Sequence, residues 1–161
     1  MTKLALGTAQ FGQEYGVTNF SGQIKKSEIL KIIKFANEKN IDLIDTAIVY
    51  GESENILGDV GVSNFNVVTK LPSCPNSSVD LISWVRNNII ASLKRLGLKS
   101  IYGLLIHRSE DLIGVSGIKI KEALYQLKSE GLVKKIGVSI YNPEELEDII
   151  KELKIDLVQV P

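Results

Sequence analysis

The sequence predicts an α/β protein built on a parallel sheet, on three observations. Short β-branched runs alternate with longer segments whose apolar residues recur at helical spacing. The strand-like runs are apolar almost throughout, as strands buried on both faces are. Ionisable residues stand where several of those runs stop, and parallel α/β proteins bind their ligands along that edge.

The first run is KLALG (Lys3 to Gly7), followed by a glycine-rich loop, GTAQFGQEYGVTNFSGQ. Ser27 is placed to cap a helix that carries Ile29, Ile32, Ile33 and Ala36. IDLIDT is the second strand, ESENILGD a short helix and FNVVTK the third strand. Ser77 or Ser78 then opens a long helix with Ile82, Val85, Ile89, Leu93 and Leu96 on one face, and Gly97 supplies a left-handed stop. IYGLLIH is the fourth strand; Ile120, Ala123, Leu124 and Leu127 mark the next helix, which Gly131 ends. KKIGVSI is the fifth strand. Asn142, Pro143 and Glu145 combine a cap, a first-turn proline and a carboxylate near the helix N-terminus, and that helix runs to about Leu153. IDLVQV is the sixth strand. Two architectures share this pattern, an open doubly wound sheet and an eight-stranded barrel.

At 161 residues the chain is expected to form one domain, 1–161. Its 44% hydrophobic and 24% charged residues are those of an ordinary globular protein. Nineteen basic residues balance nineteen acidic ones, which gives no electrostatic reason to bind nucleic acid or an anionic membrane. Apolar runs such as YGLLI are far shorter than a membrane span, and KLALGTAQFG lacks a signal-peptide pattern. The single cysteine, Cys74, cannot make an internal disulfide, so a reducing, cytoplasmic location is expected. One histidine and one cysteine cannot assemble a structural zinc site, and no metal is expected.

The strand ends carry the chemistry. Strand two stops at Asp45 with Tyr50 just beyond, strand three at Lys70, and strand four at His107. Alone, each has an ordinary reading: a capping aspartate, a rim tyrosine, a surface lysine, a structural histidine. Together they line one end of three consecutive parallel strands. A lysine cation near a phenol favours the phenolate and lowers its pKa. An aspartate can hold that lysine, and a histidine N–H can orient a carbonyl oxygen. The set suits proton donation to an alkoxide that forms as hydride reaches a carbonyl. A Schiff-base chemistry with Lys70 as nucleophile is the less favoured alternative. Cys74 reads as a bystander and Trp84 as a packing residue. Tyr15 reads equally as a loop anchor or a substrate contact.

The motifs LGTAQFG, IDTAIVYGESENILG, VVTKLP, LLIH, IGVSIYNPEEL and DLVQVP, in that order, resemble the aldo-keto reductase family across the whole chain. The resemblance implies a parallel (β/α) TIM-barrel type fold, incomplete here with six strands and five helices of an eight-fold barrel. It implies reduction of an aldehyde or ketone to an alcohol with NADPH or NADH. Tyr50 would be the general acid, Lys70 would depress its pKa, Asp45 would pair with Lys70, and His107 would position the carbonyl. Gly7 and Thr8 match the family's cofactor-contacting turn, and Ser139 and Gln159 its contacts to the nicotinamide amide; Asp45 would also contact the cofactor. Ile140 departs from the family's frequent asparagine. The family's strand-seven aromatic and the phosphate-holding loops after strands seven and eight have no counterpart before Pro161. Six strands therefore predict a weakened cofactor grip and apolar edges that a second copy or another partner would cover. A non-catalytic partial barrel that acts as an assembly or binding module is the alternative.

Overall fold

A computed structural model describes residues 4–75 and 79–161. Its six strands are β1 (Ala5–Gly7), β2 (Leu43–Asp45), β3 (Asn66–Leu71), β4 (Ile101–Ile106), β5 (Val133–Ser139) and β6 (Leu157–Gln159). They pair in parallel in the order β1-β2-β3-β4-β5-β6. A doubly wound sheet reverses its strand order at a switch point. This sheet has no reversal, so the open doubly wound alternative is ruled out and the barrel-type reading stands. The strands curl into a half-barrel.

Glycines permit the curl. A Cβ on Gly103 of β4 would lie 2.6 Å from Leu157 Cδ1 of β6 and 3.0 Å from Val68 Cγ2 of β3. Side chains from strands on both sides therefore converge over Gly103. At Gly137 of β5, a Cβ would lie 2.0 Å from the Leu157 carbonyl oxygen.

The helices are α1 (Ala9–Gly12), α2 (Lys26–Glu38), α3 (Ser53–Val60), α4 (Leu81–Leu96), α5 (Gly114–Ser129) and α6 (Pro143–Glu152), with a 3-10 turn at Ser109–Leu112. The apolar stripe of α4 is buried at Val85, Ile89, Leu93 and Leu96. Val85, Ile89 and Leu93 join Leu104 and Ile106 of β4 and Ile120, Leu124 and Leu127 of α5 in the main core, while Leu96 belongs to the second. A second core gathers Phe11, Ile29, Ile33, Ile44, Leu57 and Val67 around β2. Each fully buried Ile or Leu contributes about 1.5–3 kcal/mol. Trp84 packs against the main core, as expected.

Several local expectations are corrected. The loop after β1 contains α1, whose four residues are too few to display a period. The five helices expected between the strands are α2 to α6, and α1 is an additional short one. The cap of α2 is Lys25, and Ser27 lies inside the helix. Ser77 and Ser78 lie outside the described residues; α4 begins at Leu81, with Asp80 Oδ1 accepting from the Ile82 and Ser83 amides. Lys3, the expected start of the first strand, also lies outside them. The Gly97 stop is left-handed, with φ +65°. At α6 the Glu145 carboxylate accepts from the Asn142 amide at 2.9 Å, a capping-box bond.

Gly137→Ala is expected to destabilise the chain by about 1–3 kcal/mol. Because the added methyl meets the Leu157 carbonyl, amide exchange should quicken first in β6. Unchanged protection there would show that β6 docks without that close approach.

Candidate active site

Strand alternation sets the first contact. Asp45 pairs in register with Val68, and Lys70 lies two residues further along β3, on the face that Val68 occupies. Lys70 Nζ lies 2.7 Å from Asp45 Oδ1 and also donates to the Thr46 carbonyl at 2.9 Å. The lysine is 2% exposed, and Asp45 is partly exposed. Burial holds the Lys70 ammonium below the ordinary lysine range, while Asp45 opposes that shift. Both contacts engage the Lys70 amine, an arrangement unsuited to a free Schiff-base nucleophile.

Tyr50 sits in the turn between β2 and α3. Its amide donates to the Ala47 carbonyl at 3.0 Å, and its carbonyl accepts from the Ser53 amide at 3.0 Å. The turn is pressed against α1: a Cβ on Gly12 would lie 1.8 Å from the Tyr50 carbonyl oxygen. The Tyr50 ring meets the His107 ring edge-on, with centroids 6.2 Å apart and planes at 84°. Lys70 Nζ lies 5.0 Å from the Tyr50 ring centroid. The four strand-end residues are thus brought together.

The electrostatics depart from expectation at Tyr50. Its phenol is pushed up to about 12, first by burial, then by the Asp45 charge and by Tyr15 and Tyr141. Burial and the Asp45 charge outweigh the lowering that the Lys70 ammonium would bring, and two of its three Nζ hydrogens are committed to Asp45 and the Thr46 carbonyl. His107, just past the end of β4, is held below its ordinary 6.5 by burial, then by Lys70 and Arg108, with Asp45 opposing. The shift favours the neutral imidazole.

Tyr50, Lys70, His107, Ser139 and Gln159 line one cleft of about 270 Å³, with Tyr15, Tyr141, Ile140, Val160 and Pro161. Ser139 and Gln159 are register partners at the ends of β5 and β6. Gln159 Oε1 is buried and has no hydrogen-bond partner among the described residues. Ile140 is buried and donates its amide to the Gln159 carbonyl at 3.0 Å. Thr8 lies elsewhere: its amide and its hydroxyl both donate to the Asp45 carbonyl at 2.9 Å. Gly7 pairs with Asp45, and a Cβ there would meet open space. Tyr15 stands at the cleft, its ring 6.5 Å from that of Tyr50. Cys74 is half-buried, and burial pushes its thiol up. No group of three or more metal-ligating side chains gathers among the described residues. No described helix is long and apolar enough to cross a membrane.

Sequence reasoning missed four residues. Tyr141 enters the cleft from the turn after β5, and its position one residue beyond the Ser139–Ile140 strand end could have marked it. Thr46, Ser53 and Glu54 are buried polar groups beneath the site. All three lie in the motif IDTAIVYGESENILG, but the sequence does not mark Glu54 as buried, because an acidic first helical turn is ordinarily solvated.

The only histidine makes one measurement direct. The His107 imidazole resonance is expected to titrate below pH 6.5. The folded pKa of this base lies below its unfolded value, so the fold favours the neutral ring. That contribution is present above about pH 6.5 and is lost as pH falls through the folded value. A midpoint above 6.5 by proton NMR would contradict the half-buried placement of the ring beside Lys70.

Comparison with known proteins agrees with the geometry. The model of the Aldo/keto reductase family matches residues 3–161. An aldo-keto reductase of Mycolicibacterium vanbaalenii is 32% identical over 139 residues, covering 80% of this chain and 46% of that protein. An uncharacterized oxidoreductase of Schizosaccharomyces pombe is 33% identical over 120 residues, covering 68% of this chain and 41% of that protein. The solved structure of a candidate aldo-keto reductase of Pseudomonas aeruginosa superposes with a TM-score of 0.81 at 30% identity, covering 99% of this chain and 62% of that one. The chain thus spans less than half the length of these two curated relatives. Match over nearly every residue, on a curled parallel sheet, means that the chain belongs to the aldo/keto reductase family.

Proposed function

We propose that the chain carries the proton-donating half of an NAD(P)H-dependent carbonyl reductase. The observation that supports this best is the convergence of Tyr50, Lys70 and His107 on one cleft, with Asp45 bonded to Lys70 behind them. The cleft also fits the cofactor's carboxamide. Gln159 Oε1 is a buried acceptor without a partner among the described residues, and an amide N–H would satisfy it. Ser139, its register partner, offers a hydroxyl at the same strand edge. When bound, the nicotinamide supplies hydride to the carbonyl carbon.

The chain's residues then handle the oxygen. Neutral His107 donates an N–H to the carbonyl oxygen and orients it. Tyr50, fully protonated at neutral pH, gives its proton to the alkoxide that forms. An alkoxide is a stronger base than a phenolate, so this transfer is downhill. The phenolate left behind faces the Lys70 ammonium, which stabilises it more than it stabilised the neutral phenol. Asp45 keeps that ammonium charged and in place. The substrate class is an aldehyde or ketone, in a reducing, cytoplasmic setting.

A second reading, assembly through the sheet edges, is supported by exposed apolar residues there. Leu4 beside β1 is 70% exposed, and Val158 and Val160 on and after β6 are 41% and 63% exposed. It predicts self-association of the purified chain, and a clean monomer in sedimentation counts against it.

The deciding experiment for the first reading pairs a calorimetric titration with a mutant. NADPH or NADH should bind in the micromolar range, about −8 kcal/mol. Tyr50→Phe should keep the fold and cofactor affinity and abolish aldehyde reduction. Full turnover by the phenylalanine variant would remove Tyr50 as the acid.

A further inference from the structure

The turn that carries Tyr50 is tied to the sheet by two adjacent buried polar residues. Ser53 and Glu54, the first residues of α3, are 0% and 2% exposed. Ser53 Oγ contacts the Thr8 carbonyl and Thr8 Oγ1, each at 3.0 Å, and Thr46 Oγ1 at 3.1 Å. Thr8 in turn donates to the carbonyl of Asp45, and Thr46 directly follows Asp45 in the chain. Ser53 therefore reads the ends of β1 and β2. Glu54 points the other way. Its Oε1 accepts from Thr69 Oγ1 at 2.7 Å and Ser92 Oγ at 2.6 Å, and its Oε2 lies 2.8 Å from Arg95 Nε. Thr69 is the neighbour of Lys70, on the opposite face of β3.

We infer that Ser53 and Glu54 are positioning residues that fix the Tyr50 turn against the strand ends holding Asp45 and Lys70. A buried carboxylate is costly unless its oxygens are filled, and here they are filled from β3 and α4. Apolar side chains at these positions would bury the same surface while letting the turn slide. Directional bonds to residues flanking Asp45 and Lys70 do not allow that freedom. Both residues lie within four positions of Tyr50, so the constraint reaches the ring through very little chain. The catalytic meaning of this inference rests on the reductase reading, but the geometry it invokes does not.

The test compares Glu54→Gln with Ile89→Val, a core change in α4 outside this network. Two signals are read: the His107 imidazole resonance, which senses the Tyr50 ring edge-on, and NADPH-dependent aldehyde reduction. Glu54→Gln should shift the His107 resonance and lower kcat by roughly tenfold to a hundredfold, with KM little changed, as expected for a misplacement on the order of 1 Å. Ile89→Val should do neither. Thr69→Val should reproduce part of the effect, and Thr69→Ser, which keeps the hydroxyl, should restore it. If Glu54→Gln does not fold, Thr69→Val and Ser53→Ala are read in its place. The inference is overturned if the network variants leave both signals where Ile89→Val leaves them. If the unaltered chain reduces no aldehyde, the reductase reading falls instead, and the His107 resonance alone decides whether the network holds the turn.

Discussion

Everything at the C-terminal edge of the sheet depends on how one ammonium group is buried. Lys70 is 2% exposed, and a cation so placed needs an opposite charge and a full set of acceptors. Asp45 supplies the charge and the Thr46 carbonyl a further acceptor, both from the end of β2. Breaking a buried pair by removing one partner costs about 3–5 kcal/mol, and the partial exposure of Asp45 puts this pair toward the low end. The pair therefore locks β2 to β3 in one register. A slip by one residue would turn Lys70 to the opposite face, where Thr69 now meets Glu54.

The sheet is two-faced at β3, and each face has its own polar centre. One holds the ion pair and the cleft; the other holds Glu54, Ser92 and Arg95 among the helices. Tyr50 lies between them in sequence and is anchored from both. The close approach of Gly12 to the Tyr50 carbonyl adds a third restraint, from α1. The backbone of the turn that carries Tyr50 is thus held from three sides. On the proposed reading, that restraint matters more for proton transfer than for binding, because the transfer requires hydrogen-bond reach to a single atom.

Much of this was legible in the sequence, for definite reasons. The alternation of strands and helices reported the parallel sheet. Asp45, Lys70 and His107 were readable because strand ends in such sheets share one edge. Ser139 and Gln159 were named from the family resemblance alone. What was not legible depends on three-dimensional packing. α1 is shorter than any period that could reveal it, and the α4 cap at Asp80 competes with other capping residues nearby. Glu54 sits where a solvated carboxylate would favour the helix N-terminus, so its burial leaves no mark in the sequence. The choice between barrel and doubly wound sheet required strand order, which local patterns do not encode.

The Tyr50 phenol shows most clearly what pattern alone misses. Residue types near one another suggest a lysine that acidifies a tyrosine. The geometry instead pairs that lysine with Asp45, and burial then pushes the phenol up to about 12. On the proposed reading, this reversal does not disable Tyr50 as a proton donor. A donor has to hold its proton until an alkoxide forms, and a raised pKa secures that at every physiological pH. On the proposed reading, the Lys70 ammonium acts after the transfer, when a phenolate appears near a cation already oriented and desolvated, while the Asp45 charge opposes it. Stabilising the charge only as it develops is the form of electrostatic help that lowers a barrier without also stabilising the ground state.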